Sequence, residues 1–474
     1  MKSAHLAASL VLAFSGISLA EIAPGYVLIP AQGGFGGGSK TSTLVDSKGT
    51  VLKTYNVAGY NAYLLPNGNI LGQTGTGSAA AMGFASLVEQ APGSATAVNT
   101  WAAASGGAFH HAHWVMPNGH WLGTYTVKIN PKTALASAGY TGNLSSIWDE
   151  RIQEWDPVAK KVVWEWKASD HTLGTNHPRK FNNNNFKSND PLHINSVVYD
   201  SARDLIAMSS HYLNEVLVID HSTTTAEAAT SKGGRYGKGG DLLFRWGSSK
   251  NYGGPGSAYS DVVHGGGVIQ AGLPGAGNFC LFGNSDNTVK QSRWYEVKGQ
   301  ESDTGWVIGS NGEFAAELVF DFHNGAYQST GHYGYGQRLA NGNTLLTFSG
   351  SQKIVEVDSK KTVLNVLSGN TIRAYHYAAD HPAIVSLGLG TAGVRGATLP
   401  GAPGIRSTDG RISATGLAEG TIVRVVDARG EIRFQAVASS DRLAIPTASW
   451  AAGTYVLQFA GEHGRSSSTI ALTR

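Results

Sequence analysis

Histidine is the residue type whose placement in this sequence most strongly suggests chemistry. The chain contains 16 histidines. Four of them stand near the start of similar strand-forming segments: His111, His193, His264 and His332. His111 precedes the turn residue Asn118 by seven residues and His332 precedes Asn341 by nine, so side chains that alternate along a strand would share one face. Imidazoles that converge from several strands can act as nucleophile, base or anion ligand.

Two other roles for these histidines stay open. A histidine at a strand end can bond backbone groups without taking part in chemistry. Imidazole is also a common metal ligand, and His110-His111-Ala112-His113 places His111 and His113 on one strand face. No CxxC, HExxH or clustered carboxylate accompanies them in the sequence, so we expect neither a metal nor another cofactor.

Two arginines could supply positive charge beside these histidines. Arg293 follows the segment around His264, and Arg373 lies in Ile372-Arg373-Ala374-Tyr375, after the last repeat. The guanidinium fork matches the geometry of sulfate, phosphate or carboxylate, so either arginine could bind an oxyanion. A structural salt bridge is the alternative for each of them.

A repeated hairpin must position these residues. Three segments share one pattern, in which a strand, an Asn-Gly turn and a second strand follow each other: 65–71, 116–122 and 339–345. Asn-Gly favours the positive backbone φ angles of a tight hairpin. We therefore expect the same pair of antiparallel strands to recur along the chain.

A second repeated element is an apolar strand that ends near an acidic residue. It occurs six times, with the acids at Asp46, Glu89, Glu154, Asp220, Glu296 and Glu356. Two hairpins per unit make four strands, and repeated four-stranded units are typical of a β-propeller. The sequence thus predicts an all-β fold with a six-bladed propeller over residues 21–386, with a stack of β-sandwiches as the alternative.

Composition excludes several other classes of protein. The chain has 62 glycines in 474 residues and 15% charged residues, which argues against a helical bundle, and its net charge of +3 argues against a nucleic-acid binder.

Residues 1–20 have the basic start, apolar run and Ser18-Leu19-Ala20 ending of a secretory signal peptide. A membrane anchor is the alternative, but polar residues interrupt the run and no other segment could span a bilayer. We expect export to the periplasm, the cell surface or the medium.

A different module follows the propeller. Residues 387–410 are rich in Gly, Pro, Ala and Thr and are typical of a linker. Residues 411–474 contain alternating strands and predict a small C-terminal β-sandwich. This module resembles the sorting domains of the type IX export route, so the export machinery is an expected partner. An immunoglobulin-like accessory domain is the alternative.

The segments from about Gly25 to His381 resemble the bacterial arylsulfate sulfotransferase family. The resemblance is carried by 65–69, His110-His111 with 117–119, 163–166, 190–196 with 208–210, 336–345, and Arg373-Ala374-Tyr375 with Tyr377. It implies a six-bladed propeller enzyme that moves a sulfuryl group from a phenolic sulfate ester to a phenolic acceptor, independently of the nucleotide donor PAPS. The expected partners are therefore a small aryl sulfate and a phenol.

The resemblance also implies roles for individual residues. His332 would be the nucleophile that forms a sulfohistidine, while His193, His264 and Arg293 would bind the sulfate oxygens. Further substrate contacts would come from His111, Asn195, His211 and Arg373. An imidazole nitrogen can attack sulfur and so divide one difficult transfer into two steps.

Three features depart from the family pattern. His211 stands where many members have an arginine after two serines, Gly265-Gly266-Gly267 replaces more polar residues, and the lone Cys280 excludes the disulfide that some members carry. A second hypothesis therefore stays open: a surface propeller that binds an anionic or aromatic glycan or peptide without turnover.

Overall fold

The computed structural model describes residues 21–32, 41–57, 61–77, 83–186, 188–302, 305–329, 331–390, 404–408, 410–417, 419–427, 432–461 and 464–472. The predicted signal peptide and residues 391–403 of the predicted linker lie outside these ranges. The described chain is nearly all β-structure. Its short helices are Pro131–Ala134, Thr225–Ala228 and Pro382–Ser386, and its 3-10 turns are Ala168–His171, Asn183–Asn185 and Ser249–Tyr252. Within the described part, no helix has the length and apolarity needed to span a membrane.

Five four-stranded antiparallel sheets and one sheet with a short fifth strand follow one another and form the predicted six-bladed propeller, and we number them as blades 1–6. From the innermost strand outward, blade 1 is Tyr375–Ala378, Gly25–Ile29, Ser42–Val45 and Val51–Tyr55; blade 2 is Tyr63–Leu64, Ile70–Thr74, Ser86–Gln90 and Asn99–Ala102; blade 3 is Gly107–Val115, Trp121–Ile129, Ile147–Asp156 and Lys161–Lys167. Blade 4 is Ile194–Asp200, Leu205–Ser210, Glu215–Asp220 and Phe244–Trp246; blade 5 is Val263–Val268, Phe279–Gly283, Arg293–Gly299 and Ala316–His323; blade 6 is Tyr335–Arg338, Thr344–Phe348, Lys353–Val357 and Val363–Ser368. The first strands of blades 3 and 4, of blades 4 and 5, and of blades 5 and 6 contact one another.

Minor strands complete the propeller. Gly83–Phe84 pairs with the first strand of blade 3, and two small ribbons are formed by Thr172–Leu173 with Phe181–Asn182 and by Glu301–Ser302 with Gly305–Trp306. They extend the blades without changing the order of the ring.

Blade 1 closes the ring by combining both ends of the propeller. Its innermost strand, Tyr375–Ala378, comes last in the propeller sequence and pairs with Gly25–Ile29, with Tyr377 opposite Tyr26. The N-terminal segment is also tied to blade 6, because the backbone N–H of Ala23 donates to Glu356 over 2.7 Å. Closure therefore depends on contacts between residues more than 300 positions apart, which makes the propeller one cooperative unit.

The two repeated sequence elements bind each other within a blade. Each predicted acid lies on, or directly after, the third strand of its sheet. In blade 2 the Glu89 carboxylate accepts hydrogen bonds from the side chains of Asn67 and Asn69 over 2.9 and 2.7 Å. In blade 3 Glu154 accepts from Asn118 over 3.1 Å. The acid thus fixes the turn between the first two strands, which explains why both elements recur.

Glycine, rather than asparagine, carries the positive φ angle in these turns. Gly68, Gly119 and Gly342 have φ of +82°, +85° and +92°. The preceding asparagine instead accepts a hydrogen bond from a backbone N–H two residues on, as Asn67 does from Asn69 over 3.0 Å. The predicted hairpins are confirmed, but only one residue of each Asn-Gly pair adopts the left-handed conformation.

The C-terminal module has two sheets around its own core. One contains Gly404–Thr408, Arg411–Thr415 and Arg442–Pro446, and the other contains Ile432–Val437, Ile422–Asp427, Gly453–Gly461 and Gly464–Leu472. Ile412, Val423 and Leu457 are fully buried between them. The predicted sandwich is confirmed, but it begins at Gly404 instead of after residue 410, because residues 404–408 pair with 411–415 in a hairpin.

Candidate functional site

Irregular backbone places three histidines at one end of the channel. The first strands of blades 3, 4 and 5 each shift register there, between His110 and His113, between Ile194 and Ser196, and between His264 and Gly267. His193 has φ +49°, and Gly265, directly after His264, has φ +53°. Bulges re-aim side chains relative to the regular alternation of a strand. The three blades therefore turn their imidazoles toward one region.

The structure brings His111, His193, His211 and His264 together, and we call these four residues the histidine cluster. The Nε2 atoms of His111 and His193 lie 2.7 Å apart. The His211 ring lies 5.2 Å from that of His193 and 5.0 Å from that of His264, measured between centroids. His111, His193 and His264 are buried, while His211 is half-buried. Tyr212 is exposed and packs against the rings of His193 and His211.

Hydrogen bonds set the orientation of two imidazoles in this cluster. His193 Nδ1 lies 2.5 Å from Asp190 Oδ2. His264 Nδ1 lies 2.6 Å from Asn284 Oδ1. The Asn284 amide cannot be turned around, because its Nδ2 donates to the carbonyls of Ser329 and Tyr333. His264 therefore donates from Nδ1 and presents the lone pair of Nε2.

Burial keeps most of the cluster neutral. It lowers the pKa of His111 and of His264 well below the usual value, and neighbouring imidazoles lower both further. Burial also lowers the pKa of His211 to about 4, with further lowering by His193 and His332. Neutral imidazoles hold a lone pair, so the cluster offers nucleophilic nitrogens at neutral pH.

Arg373 lies next to this cluster, on the axis of the propeller. Its side chain is buried, donates to the backbone carbonyl of Asn195 and lies over the Tyr335 ring at 5.4 Å. Its charge also helps to lower the pKa of His111 and His264. No carboxylate among the described residues forms an ion pair with Arg373. A buried cation in this situation favours a bound anion.

The side chain of Asn195, a predicted substrate contact, forms hydrogen bonds within the channel wall. Its Nδ2 donates to Val263 O over 2.8 Å, and its Oδ1 accepts from Ser209 Oγ over 2.6 Å. The residue connects the first strands of blades 4 and 5 and holds Arg373 through its carbonyl. Its predicted contact with substrate stays a prediction.

His332, the predicted nucleophile, lies on the rim of the site. It is exposed, in the loop before the first strand of blade 6, and its backbone carbonyl accepts from Ser349 Oγ. The next residue, Tyr333, packs against the His264 ring at 5.8 Å between centroids. His332 is close enough to lower the pKa of His211. It therefore stands on the solvent side of the cluster.

Arg293, the predicted sulfate ligand, is not brought to the cluster. It lies on the third strand of blade 5, two strands out from the channel. Its guanidinium bonds Asp286 Oδ2 over 3.1 Å and Asp321 Oδ2 over 3.0 Å. Two carboxylates on its own blade thus neutralise it, and this arrangement matches the salt-bridge alternative.

An aromatic cavity begins beside the cluster. It has a volume of about 290 Å³, and Gly265, the residue after His264, forms part of its wall together with Gly266 and Gly267. The aromatic rings that line it are those of Tyr63, Trp114, Trp294, Tyr335, Tyr375 and Tyr377, together with the imidazoles of His376 and His381. A Cβ on Gly265 would lie 2.4 Å from the carbonyl oxygen of Gly334. Only glycine fits this close approach between the first strands of blades 5 and 6.

Several residues of the site were missed by the sequence interpretation. Asp190, Asn284 and Glu150 each contact a histidine of the channel, Glu150 through His110 at 3.0 Å. Asp190 stands three residues before His193, so its proximity was readable from the sequence. Glu150 and Asn284 come from other strands, and no local pattern indicates them.

The site is that of a β-propeller with a histidine-lined and arginine-containing channel. Residues 39–233 match the model of the arylsulfotransferase (ASST) family. This match supports the resemblance seen in the sequence and includes His111, His193 and His211, but it ends before His264. No curated protein matches the chain.

Solved structures show only distant similarity. A protein of unknown function from Bacteroides caccae is 11% identical, with 73% of this chain and 94% of that chain covered and a TM-score of 0.40. Virginiamycin B lyase from Staphylococcus aureus is 10% identical, with 75% and 82% covered and a TM-score of 0.25. Similarities this low assign no function.

Proposed function

We propose that the protein transfers a sulfuryl group from an aryl sulfate ester to a phenolic acceptor through a channel histidine. The observation that carries this proposal is Arg373, a buried cation without an ion-paired carboxylate among the described residues, next to neutral imidazoles. A sulfuryl group would bring the negative charge that this environment lacks. The family match over 39–233 supports the same class of reaction.

The aromatic cavity accounts for the other half of the substrate. Its tyrosine and tryptophan rings offer the apolar walls that a phenyl group favours, and its wall begins at the residue after His264. A single aromatic ring fits within about 290 Å³. Neither Arg373 nor His264 lines the cavity, but Gly265 does, so we propose that an aryl sulfate places its ring in the cavity and its charged group beyond Gly265, toward His264 and Arg373.

The geometry favours His264 over His332 as the attacking residue. His264 is buried and directly precedes Gly265 of the cavity wall, and its Nδ1–H bonds Asn284, which leaves the lone pair on Nε2. His332 is exposed, and the hydrogen bond described for it is made by its backbone carbonyl, which accepts from Ser349 Oγ. We assign attack to His264 and place His332 where a phenol approaching from solvent would meet it.

The reaction then proceeds in two steps. His264 Nε2 forms a bond to sulfur while the bond between sulfur and the aryl oxygen breaks, which releases an aryl oxide. Asn284 Oδ1 stabilises the imidazolium character that develops on the sulfated ring, and Arg373 stabilises the sulfuryl oxygens. In the second step the acceptor phenol gives its proton to His332, its oxygen binds sulfur and the nitrogen–sulfur bond breaks.

Turnover of nitrophenyl sulfate with phenol as acceptor tests this proposal. The wild-type protein should release nitrophenolate, and His264→Ala should abolish both the first-turnover burst and steady-state release. His332→Ala should keep the burst but lose acceleration by phenol. His323→Ala, an exposed histidine on the outer strand of blade 5, is the matched control and should behave as wild type.

Other results would change the assignment. Equal turnover by His264→Ala would remove that residue from catalysis. Tight binding of the sulfate ester with no release by any variant would favour the non-catalytic binding propeller.

We also propose that the protein is exported through residues 1–20 and that residues 404–472 serve in sorting, which secretion of truncated chains would test.

A further inference from the structure

Three buried imidazoles meet where blades 3 and 4 adjoin. His110 and His111 lie on the first strand of blade 3, and His193 lies just before the first strand of blade 4. One ring nitrogen from each lies within 4.8 Å of those from the other two.

Carboxylates stand behind two of these imidazoles. His193 Nδ1 and Asp190 Oδ2 form a hydrogen bond of 2.5 Å, whereas Glu150 Oε1 lies 3.0 Å from His110 Nδ1 as an ion-pair contact outside hydrogen-bond geometry. Histidines that bind metals characteristically donate their second ring N–H to a carboxylate, which fixes the ring and makes the other nitrogen a better donor. The sequence showed no clustered carboxylate, because Glu150 is supplied by the third strand of blade 3.

The spacing suits a small divalent ion. Zinc–nitrogen bonds of about 2.0–2.1 Å place ligand nitrogens roughly 3.3 Å apart in a tetrahedron. The Nε2 atoms of His111 and His193 lie 2.7 Å apart, which is shorter than this spacing between zinc ligands. The ring nitrogens of all three histidines lie within 4.8 Å of one another, a limit that is longer than the spacing. Metal binding therefore requires the separations between ring nitrogens to change by about 0.6 to 1.5 Å.

Charge also favours a cation at this point. Asp190 and Glu150 are both nearly fully buried. Two buried carboxyl groups beside three imidazoles can balance the charge of a divalent ion.

We propose that His110, His111 and His193 bind one divalent transition-metal ion, with zinc as the expected metal. Three imidazoles leave a fourth position, and the side facing His211 and Arg373 is where an oxyanion oxygen could occupy it. This site goes beyond the proposed sulfuryl transfer, because three histidines and their carboxylates define it whether or not the chain turns over aryl sulfates.

Zinc titration of the untagged, chelator-treated full chain tests the proposal. Calorimetry should show one zinc ion per chain, and cobalt substitution should give the absorption bands of tetrahedral nitrogen coordination. His110→Ala should weaken zinc binding at least tenfold, while His323→Ala should not change it. Zinc binding that is absent, or unchanged in His110→Ala, would overturn the site.

A second variant covers the case in which His110→Ala fails to fold. Glu150→Gln keeps the shape of the side chain and should still weaken zinc binding by about 10–100-fold, as expected for the loss of a carboxylate behind a ligand. Unchanged affinity in a folded Glu150→Gln protein would contradict the proposal.

The metal site and the proposed reaction fail in different ways. Chelator-treated protein that turns over nitrophenyl sulfate and binds no zinc would overturn the metal site and leave the transferase proposal standing. Stoichiometric zinc binding without turnover would support the metal site and overturn the transferase proposal.

Discussion

Replacing Arg373 by methionine should lower activity without lowering stability. Arg373 is buried, and its side chain contacts the Asn195 carbonyl, the Tyr335 ring and the Tyr375 hydroxyl, with no ion-paired carboxylate among the described residues. Methionine removes a charge whose burial is costly and leaves the Asn195 carbonyl without that donor, a loss of about 1 kcal/mol. We expect the two effects to offset each other, so that the melting temperature changes little or rises.

The loss of activity follows from the missing contact with the anion. A hydrogen bond between a guanidinium and a charged oxygen contributes about 1.5–3 kcal/mol, which corresponds to a decrease of roughly 10–150-fold in kcat/KM for nitrophenyl sulfate. Inorganic sulfate should raise the melting temperature of the wild type and have a smaller effect on Arg373→Met.

Arg245 provides the matched contrast. It is equally buried, but its Nε and Nη2 bond Glu215 over 2.8 and 2.5 Å. Arg245→Met leaves a buried carboxylate without its cation and should destabilise the protein by about 3–5 kcal/mol. Thermal unfolding and kinetics of both variants check the argument. A destabilised Arg373→Met protein with unchanged kcat/KM would refute the assignment of Arg373 to the anion.

Three further predictions concern single residues. Gly265→Ala should destabilise the propeller by about 2–4 kcal/mol, measured by thermal unfolding, because a Cβ would meet Gly334 O at 2.4 Å and φ is +53°. Burial opposes protonation of His221, but hydrogen bonds to Asp204 and Glu154 raise its pKa to about 9. The protonated His221 therefore contributes fully to the free energy of unfolding below about pH 6.5, and this contribution is lost as the pH rises through 9. The melting temperature should fall over that window in wild type, and His221→Gln should lack this fall. Because burial lowers the pKa of His264 well below its usual value, the rate of the first-turnover burst without acceptor, in which His332 takes no part, should stay level from neutral pH to well below 6.5. A burst-rate profile with its midpoint near 6.5 would contradict attack by a buried histidine.

The blade pattern was predictable because its two elements are local in sequence. Each Asn-Gly turn and each acid recur at the same place, and the structure shows that they bond each other within a blade, as Asn67 does to Glu89. The position of Arg293 was predictable on the same basis. It directly precedes Trp294-Tyr295-Glu296, an acid-ended strand, and such strands are third from the channel in all six blades.

The site was less predictable because it depends on register shifts and on partners from distant strands. Regular alternation placed His332 in line with His111, but His332 precedes its strand and stays exposed, while the bulge after His264 turns that residue inward. Asn284 and Glu150 reach the histidines only after the blades pair. No spacing in the sequence specifies these contacts.

Mass spectrometry of the sulfated intermediate tests the central claim most directly. The protein would be exposed briefly to nitrophenyl sulfate without acceptor, digested at alkaline pH and mapped for the added mass of one sulfuryl group. We predict that this mass lies on His264 and disappears when phenol is added. Turnover without any labelled histidine would contradict the covalent route, and label on His332 would contradict attack by His264.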